Sequence, residues 1–135
     1  MAFSLGFAGL EKSGTFKIDA ATKAVIGKPE NEIGKAYVLT GNGTVGRGKD
    51  GDWIFGIVQT MEEEFPGSGS YVATIAFFQS QQFVPVTGTV AAGDFILAKG
   101  DGTVRKYDPS EDEGKPMNYF VINVNSDGTA AIINR

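Results

Sequence analysis

The sequence predicts an all-β protein, a small β-barrel or β-sandwich built from two similar hairpin units and led by an extended N-terminal arm. The first observation behind this is a repeat. Ala36-Tyr-Val-Leu-Thr-Gly-Asn-Gly-Thr-Val45 returns 59 residues later as Phe95-Ile-Leu-Ala-Lys-Gly-Asp-Gly-Thr-Val104. In both copies a mainly apolar, strand-favouring run enters Asn-Gly or Asp-Gly, the strongest short-range sign of a hairpin turn. The second is that the echo continues downstream: Ile54-Phe-Gly-Ile-Val-Gln-Thr60 is answered by Tyr119-Phe-Val-Ile-Asn-Val-Asn125, and Tyr71-Val-Ala-Thr-Ile-Ala-Phe77 by Thr129-Ala-Ala-Ile-Ile133. An order of strand, glycine turn, strand, loop, strand, turn, strand that occurs twice points to a duplicated unit. The third is composition, 19 glycines in 135 residues with 41% hydrophobic content, which suits short strands and many turns.

Taken in order, the chain opens with Met1-Ala-Phe-Ser-Leu-Gly-Phe-Ala-Gly-Leu10, where Phe3, Leu5 and Phe7 alternate with small residues. Period two gives a strand one apolar face. The stretch lacks the length and basic start of a secretory signal, so it is expected to belong to the mature protein. Such a face needs cover, either within the domain or on a neighbouring subunit. From Glu11 to Lys35 the pattern weakens: Thr15–Asp19 suits a short strand, Ala20–Ile26 a helical turn or a strand, and Pro29 sits in a polar connection. Residues 1–34 therefore read as an N-terminal arm and lead-in segment, and residues 35–135 as the β-domain with its internal duplication.

Within that domain, strands are expected near 36–40, 44–47, Trp53–Met61 and Tyr71–Phe78. The acidic, flexible loop Glu62-Glu-Glu-Phe-Pro-Gly-Ser-Gly-Ser70 places Phe65 in a solvated setting. Pro85 confines Phe83-Val-Pro-Val-Thr87 to an edge or a bulge. The excursion Arg105–Pro116 is longer than its counterpart in the first unit, and its acids are expected to form an exposed tip. Strands Tyr119–Asn125 and Thr129–Asn134 close the chain. Phe77, Phe78, Phe83, Phe95, Tyr119 and Phe120 fall in strands, which favours a place in the core over the alternative of an aromatic binding platform.

Length and charge bound the function. A chain of 135 residues is one domain by size and buries roughly two thirds of its unfolded surface. Cysteine and histidine are both absent, which removes disulfides, thiolate sites and the commonest general base and metal ligand. Lys and Arg number 12 against 16 acids, and residues 36–135 carry the deficit with seven bases against twelve. An acidic body repels phosphate backbones, so no nucleic-acid partner is expected. The apolar runs are too short for a membrane span.

The remaining motifs have plain explanations. Gly41-Asn-Gly-Thr-Val-Gly46 and Gly46-Arg-Gly-Lys-Asp-Gly51 match the glycine spacing of a dinucleotide loop, but a strand follows where a helix N-terminus is required. Asp50 and Asp52, Glu62 to Glu64, and Asp108, Glu111, Asp112 and Glu113 lack the alternating spacing and closing Glu of a calcium loop, and solvated acidic tips account for them. Asn42-Gly-Thr44 is a glycosylation triplet without a secretory signal. No catalytic residue, cofactor site or metal site is expected. A glycosidase would set two carboxylates across a cleft, whereas these gather in turns.

Over about residues 35–134, the order of the Gly41–Val45 turn, Phe55-Gly-Ile-Val58, Val84-Pro-Val86, Val90-Ala-Ala-Gly-Asp94 and Gly100-Asp-Gly-Thr-Val104 resembles the small capsid decoration, or cement, proteins of tailed bacteriophages. The likeness lies in turn and strand texture, and residues 1–34 match no comparable pattern. It implies a compact β-domain on the outer surface of the virion, made in the host cytoplasm. There it would often sit as a homotrimer at local three-fold positions, clamping neighbouring major capsid proteins against internal DNA pressure. Phe3, Leu5, Phe7, Phe65 and Phe83 are the capsid or subunit interface candidates. The alternative is a glycan- or ligand-binding β-module of a phage tail or fibre.

Overall fold

A computed structural model of the protein describes residues 13–77 and 82–134. The first unit comprises β1 (Ser13–Ile18), α1 (Ala20–Val25), a 3-10 turn (Pro29–Glu32), β2 (Ala36–Gly41), β3 (Thr44–Gly46), β4 (Gly56–Glu63) and β5 (Tyr71–Ala76). The second comprises β6 (Gln82–Pro85), β7 (Phe95–Ala98), β8 (Val104–Lys106), β9 (Tyr119–Val124) and β10 (Thr129–Asn134). The first closes into a barrel in the order β1-β3-β2-β4-β5, and the second forms a five-stranded sheet in the order β6-β10-β9-β7-β8. The protein is all-β with one short helix among the described residues, capped where the Asp19 carboxylate accepts the Thr22 N–H at 2.7 Å. Regular structure is thus already present at Ser13, the first described residue, upstream of Lys35 where the sequence pattern sharpens. The arm bearing Phe3, Leu5 and Phe7 lies outside the described residues.

The two units repeat each other strand for strand. Leu39 pairs with Val45 across the first hairpin and Ala98 with Val104 across the second. Tyr37 faces Gly56, and Ile96 faces Tyr119. Even the irregularities recur, because Gln59 is the extra residue of a bulge opposite Ile75/Thr74 and Ile122 that of a bulge opposite Ile132/Ala131. Backbone turns repeat as well: Gly34 N–H donates to Val58 O, and Gly93 N–H to Val121 O, both at 2.8 Å. Both glycines sit near φ +90°, where a side chain is strained. The repeat also takes in a fifth strand, since β1 pairs with β5 as β6 pairs with β10. The structural correspondence sets Gly56 against Tyr119, two residues away from the match read by eye. A two-residue shift preserves strand alternation, so the apolar pattern alone does not distinguish the two.

Interior positions correspond too. Phe16, Tyr37, Val45, Val58, Ala73 and Ile75 fill the first barrel, and Val84, Ile96, Val104, Val121, Ala130 and Ile132 hold the matching places in the second unit. Side chains alternate across a strand, so as Tyr37 points into its own barrel, Ala36 and Val38 point away from it. With Ile54 and Ile57 they join the core of the second unit. Two-sided burial explains the unbroken apolar run Ala36–Val38.

The units differ at one seam, and Pro85 accounts for it. In the first barrel Lys17 N–H donates to Gly43 O and Asp19 N–H to Val45 O, both at 3.0 Å, closing β1 on β3. In the second, Thr87 N–H donates to Val104 O at 2.8 Å, which matches the second of these bonds. The counterpart of Lys17 is Pro85, which has no N–H. The backbone pairing of the seam is thereby reduced to the bridge Val86–Val104, beside which the Thr87 and Thr103 hydroxyls hydrogen-bond at 2.6 Å. The carbonyl left over, that of Gly102, accepts the N–H of Ala36 in the first unit at 2.8 Å. Gly51 N–H to Ala98 O, Ala98 N–H to Asp52 O and Asn118 Nδ2 to Ile54 O, at 2.8 to 2.9 Å, complete the lock.

With a shared core and shared ladder, the chain should unfold as one body. Trp53 fluorescence, which reports on the first unit, and far-UV circular dichroism should give coincident thermal transitions. Ile57→Ala should lower both together by about 2–5 kcal/mol. Separate transitions would show that the units are independent.

Candidate functional site

Two buried ionic staples lie where the sequence suggested only solvated polar residues. Glu32, at the end of the 3-10 turn, is buried. Its Oε1 accepts from Tyr37 OH at 2.8 Å and Arg47 Nε at 2.9 Å, and its Oε2 from Lys35 Nζ and Arg47 Nη2, both at 2.8 Å. Burial pushes this carboxyl upward, but the bonds from Arg47, Lys35 and Tyr37 outweigh it and hold the pKa at about 2. Tyr37 is pushed the other way, upward by burial and by the Glu32 carboxylate.

Asp112 does the same for the excursion after β8. The Arg105 guanidinium grips it with both forks, at 2.7 and 2.9 Å, while Lys115 Nζ and Asp108 N–H supply the other two bonds. Arg105 holds its carboxyl far below the usual carboxylate range. Arg105 also reaches Asp50 of the first unit at 2.6 Å. The expectation of a wholly exposed acidic tip is therefore corrected: Asp108, Glu111 and Glu113 are exposed, whereas Asp112 is fully buried because Arg105 neutralises it. Asp50 is likewise paired, and Asp52 accepts the Lys49 N–H.

Each central carboxylate makes four hydrogen bonds, about the full capacity of its two oxygens. Saturated and pinned in the ionised form, neither is suited to transferring a proton near neutral pH, and both hold loops in place. Among the described residues no group of three or more Asp or Glu is placed to hold a metal ion.

The surface carries the remaining candidates. Phe65, in the β4–β5 hairpin, is 62% exposed, and Phe83, on the edge strand β6, is 56% exposed. They lie on different units and form no joint site. Of the other strand aromatics, Phe77 and Tyr119 are buried, while Phe95 and Phe120 are half-buried and meet across the ladder with rings tilted at 59° and centroids 6.0 Å apart. Phe78 lies outside the described residues. A largely apolar cleft of about 690 Å³ opens on the first barrel between Thr15, Lys17, Leu39, Asn42, Phe55 and Val72. Phe55 anchors its floor, edge-on to Phe16 at 5.2 Å and to Trp53 at 6.4 Å.

Sequence reasoning missed the staples and the cleft. Glu32 and Arg47 are fifteen residues apart with no shared motif, and the cleft assembles from four separated segments.

The Glu32 staple sets an acid limit. A carboxyl whose pKa falls from 4.5 to about 2 on folding contributes stability that is complete above pH 4.5 and lost as pH drops toward 2, on the order of 3 kcal/mol. Glu32→Gln should cost roughly 3 kcal/mol at pH 7 by leaving Arg47 uncompensated. Urea titrations of variant and wild type should converge as pH approaches 2. A gap independent of pH would refute the assignment.

The chain matches no protein-family model and no curated protein sequence.

Proposed function

We propose that this chain is a structural virion protein that binds the outer surface of a phage head and cements neighbouring major capsid proteins, as a trimer at local three-fold positions. The observation that carries the reading is the division between inside and outside. The buried charges are saturated staples that hold the loops of two interlocked β-units in place, while large apolar side chains such as Phe65 and Phe83 are turned outward on that frame. A frame whose loops are already held, with outward apolar anchors, suits adhesion, since little loop order remains to be lost on binding. The strand and turn texture over residues 35–134 that resembles decoration proteins supports the same reading. Made in the host cytoplasm, the protein would add to the shell from outside, its arm at Phe3, Leu5 and Phe7 packing on a capsid sheet.

The apolar cleft beside Phe55 favours a second reading, a glycan- or ligand-binding module of a tail or fibre, because sugar rings stack on aromatic faces.

Light scattering after size exclusion, with and without expanded empty heads, separates the two. Saturable co-migration in fixed ratio to the major capsid protein is expected. Removing residues 2–10 should abolish it while leaving the circular dichroism spectrum unchanged. A monomer that ignores heads would overturn the cement reading and direct attention to glycan arrays.

A further inference from the structure

The internal repeat marks which parts of the first unit its fold does not require. In the second unit, β9 and β10 are joined by the tight turn Asn125-Ser-Asp-Gly128, in which the Asp127 carboxylate accepts the Thr129 N–H at 3.0 Å. The matching connection, between β4 and β5, is a longer excursion that carries Phe65 and Pro66. A short turn suffices to close this topology, so the extension answers another need.

The extension is also built to stay in place. Glu64 N–H donates to Ser70 O at 2.8 Å, Ser68 N–H to Phe65 O at 3.0 Å, and Gly69 N–H to Glu63 Oε2 at 3.0 Å. An ordered hairpin therefore presents an aromatic ring to solvent beside a recess of about 630 Å³ whose apolar walls are Pro29, Met61, Pro66 and Tyr71. The rim of that recess carries the carboxylates of Glu30, Glu62, Glu63 and Glu64. Elsewhere Glu32, Asp50, Asp94 and Asp112 are each matched by Lys or Arg, but no ion pair among the described residues involves these four.

We propose that the β4–β5 hairpin is a docking surface for a basic protein face, with Phe65 entering an apolar recess of the partner and the four carboxylates meeting Lys and Arg around it. This rests on the shell-binding reading above and assigns the occupant: the outward face of the capsid lattice, cationic where this hairpin lands. Aromatic side chains that fill a partner's pocket inside a polar rim are common binding anchors. Unpaired charges on its rim steer association and make it sensitive to salt.

The test is binding of the full chain to expanded empty heads, read as occupancy against protein concentration. Phe65→Ala should weaken binding roughly tenfold or more. The combined Glu30→Lys, Glu62→Lys, Glu64→Lys variant should lose binding at low salt, and wild-type affinity should fall as sodium chloride is raised. Glu111→Lys with Glu113→Lys, on the other unit, should leave affinity unchanged. All these side chains are exposed, and thermal unfolding of each variant verifies the fold. Should the triple variant not fold, Phe65→Ala and the salt series decide. Wild-type affinity in both hairpin variants, or affinity unaffected by salt, overturns the docking surface and leaves the cement reading standing. Heads that fail to bind even the wild type overturn both.

Discussion

A single missing hydrogen-bond donor organises this molecule. Because Pro85 cannot donate, the ladder that closes the first barrel is left incomplete in the second, and the carbonyl of Gly102 is available to the N–H of Ala36. Leaving a buried carbonyl unpaired would cost about 1–3 kcal/mol, so the bond between units follows from the broken seam within one of them. The apolar residues Ala36, Val38, Ile54 and Ile57 then have a core to enter, and two copies of one unit become one body.

The staples divide the remaining labour. Glu32 ties the 3-10 turn to β2 and β3 through Tyr37 and Arg47, and Asp112 ties the excursion after β8 to its own strand and, through Arg105, to Asp50. Their absence from the repeat is informative. The second unit has Ala91 at the backbone position matching Glu32, with Asp94 N–H donating to its carbonyl as Lys35 N–H does to that of Glu32. The fold therefore tolerates alanine there, and the buried carboxylate belongs to the first unit's longer β1–β2 connection, which carries α1.

How much of this was legible in the sequence depended on how local the cause was. Hairpins at Asn42-Gly43 and Asp101-Gly102 could be read because turn chemistry is set within a few residues. The duplication could be read for four strands. The fifth pair, β1 and β6, escaped because Ser13–Ile18 and Gln82–Pro85 share register and partners but hardly any residue identities. Phe65 was visible as an apolar residue among acids, and its exposure agrees. Glu32, Asp112 and the Phe55 cleft were not visible, since each depends on partners that only the closed barrel or the folded excursion brings near. Pro85 marks an edge strand from sequence alone, and β6 is one, but its effect on Ala36 depends on the topology.

The weakened seam also grades the stiffness of the protein. The first barrel is closed around its whole circumference, whereas the second sheet is held at its seam by the Val86–Val104 bridge and the contacts of Thr87 with Thr103 and Val104, so local opening is expected there first. Gly102 O leaves the same edge of β8 as Val104 O, so the Ala36–Gly102 bond bounds any opening between Val86 and Val104 at one end. The barrel bearing Phe65 keeps its shape while the second unit yields at that one seam, giving one chain a stiff half and a compliant half.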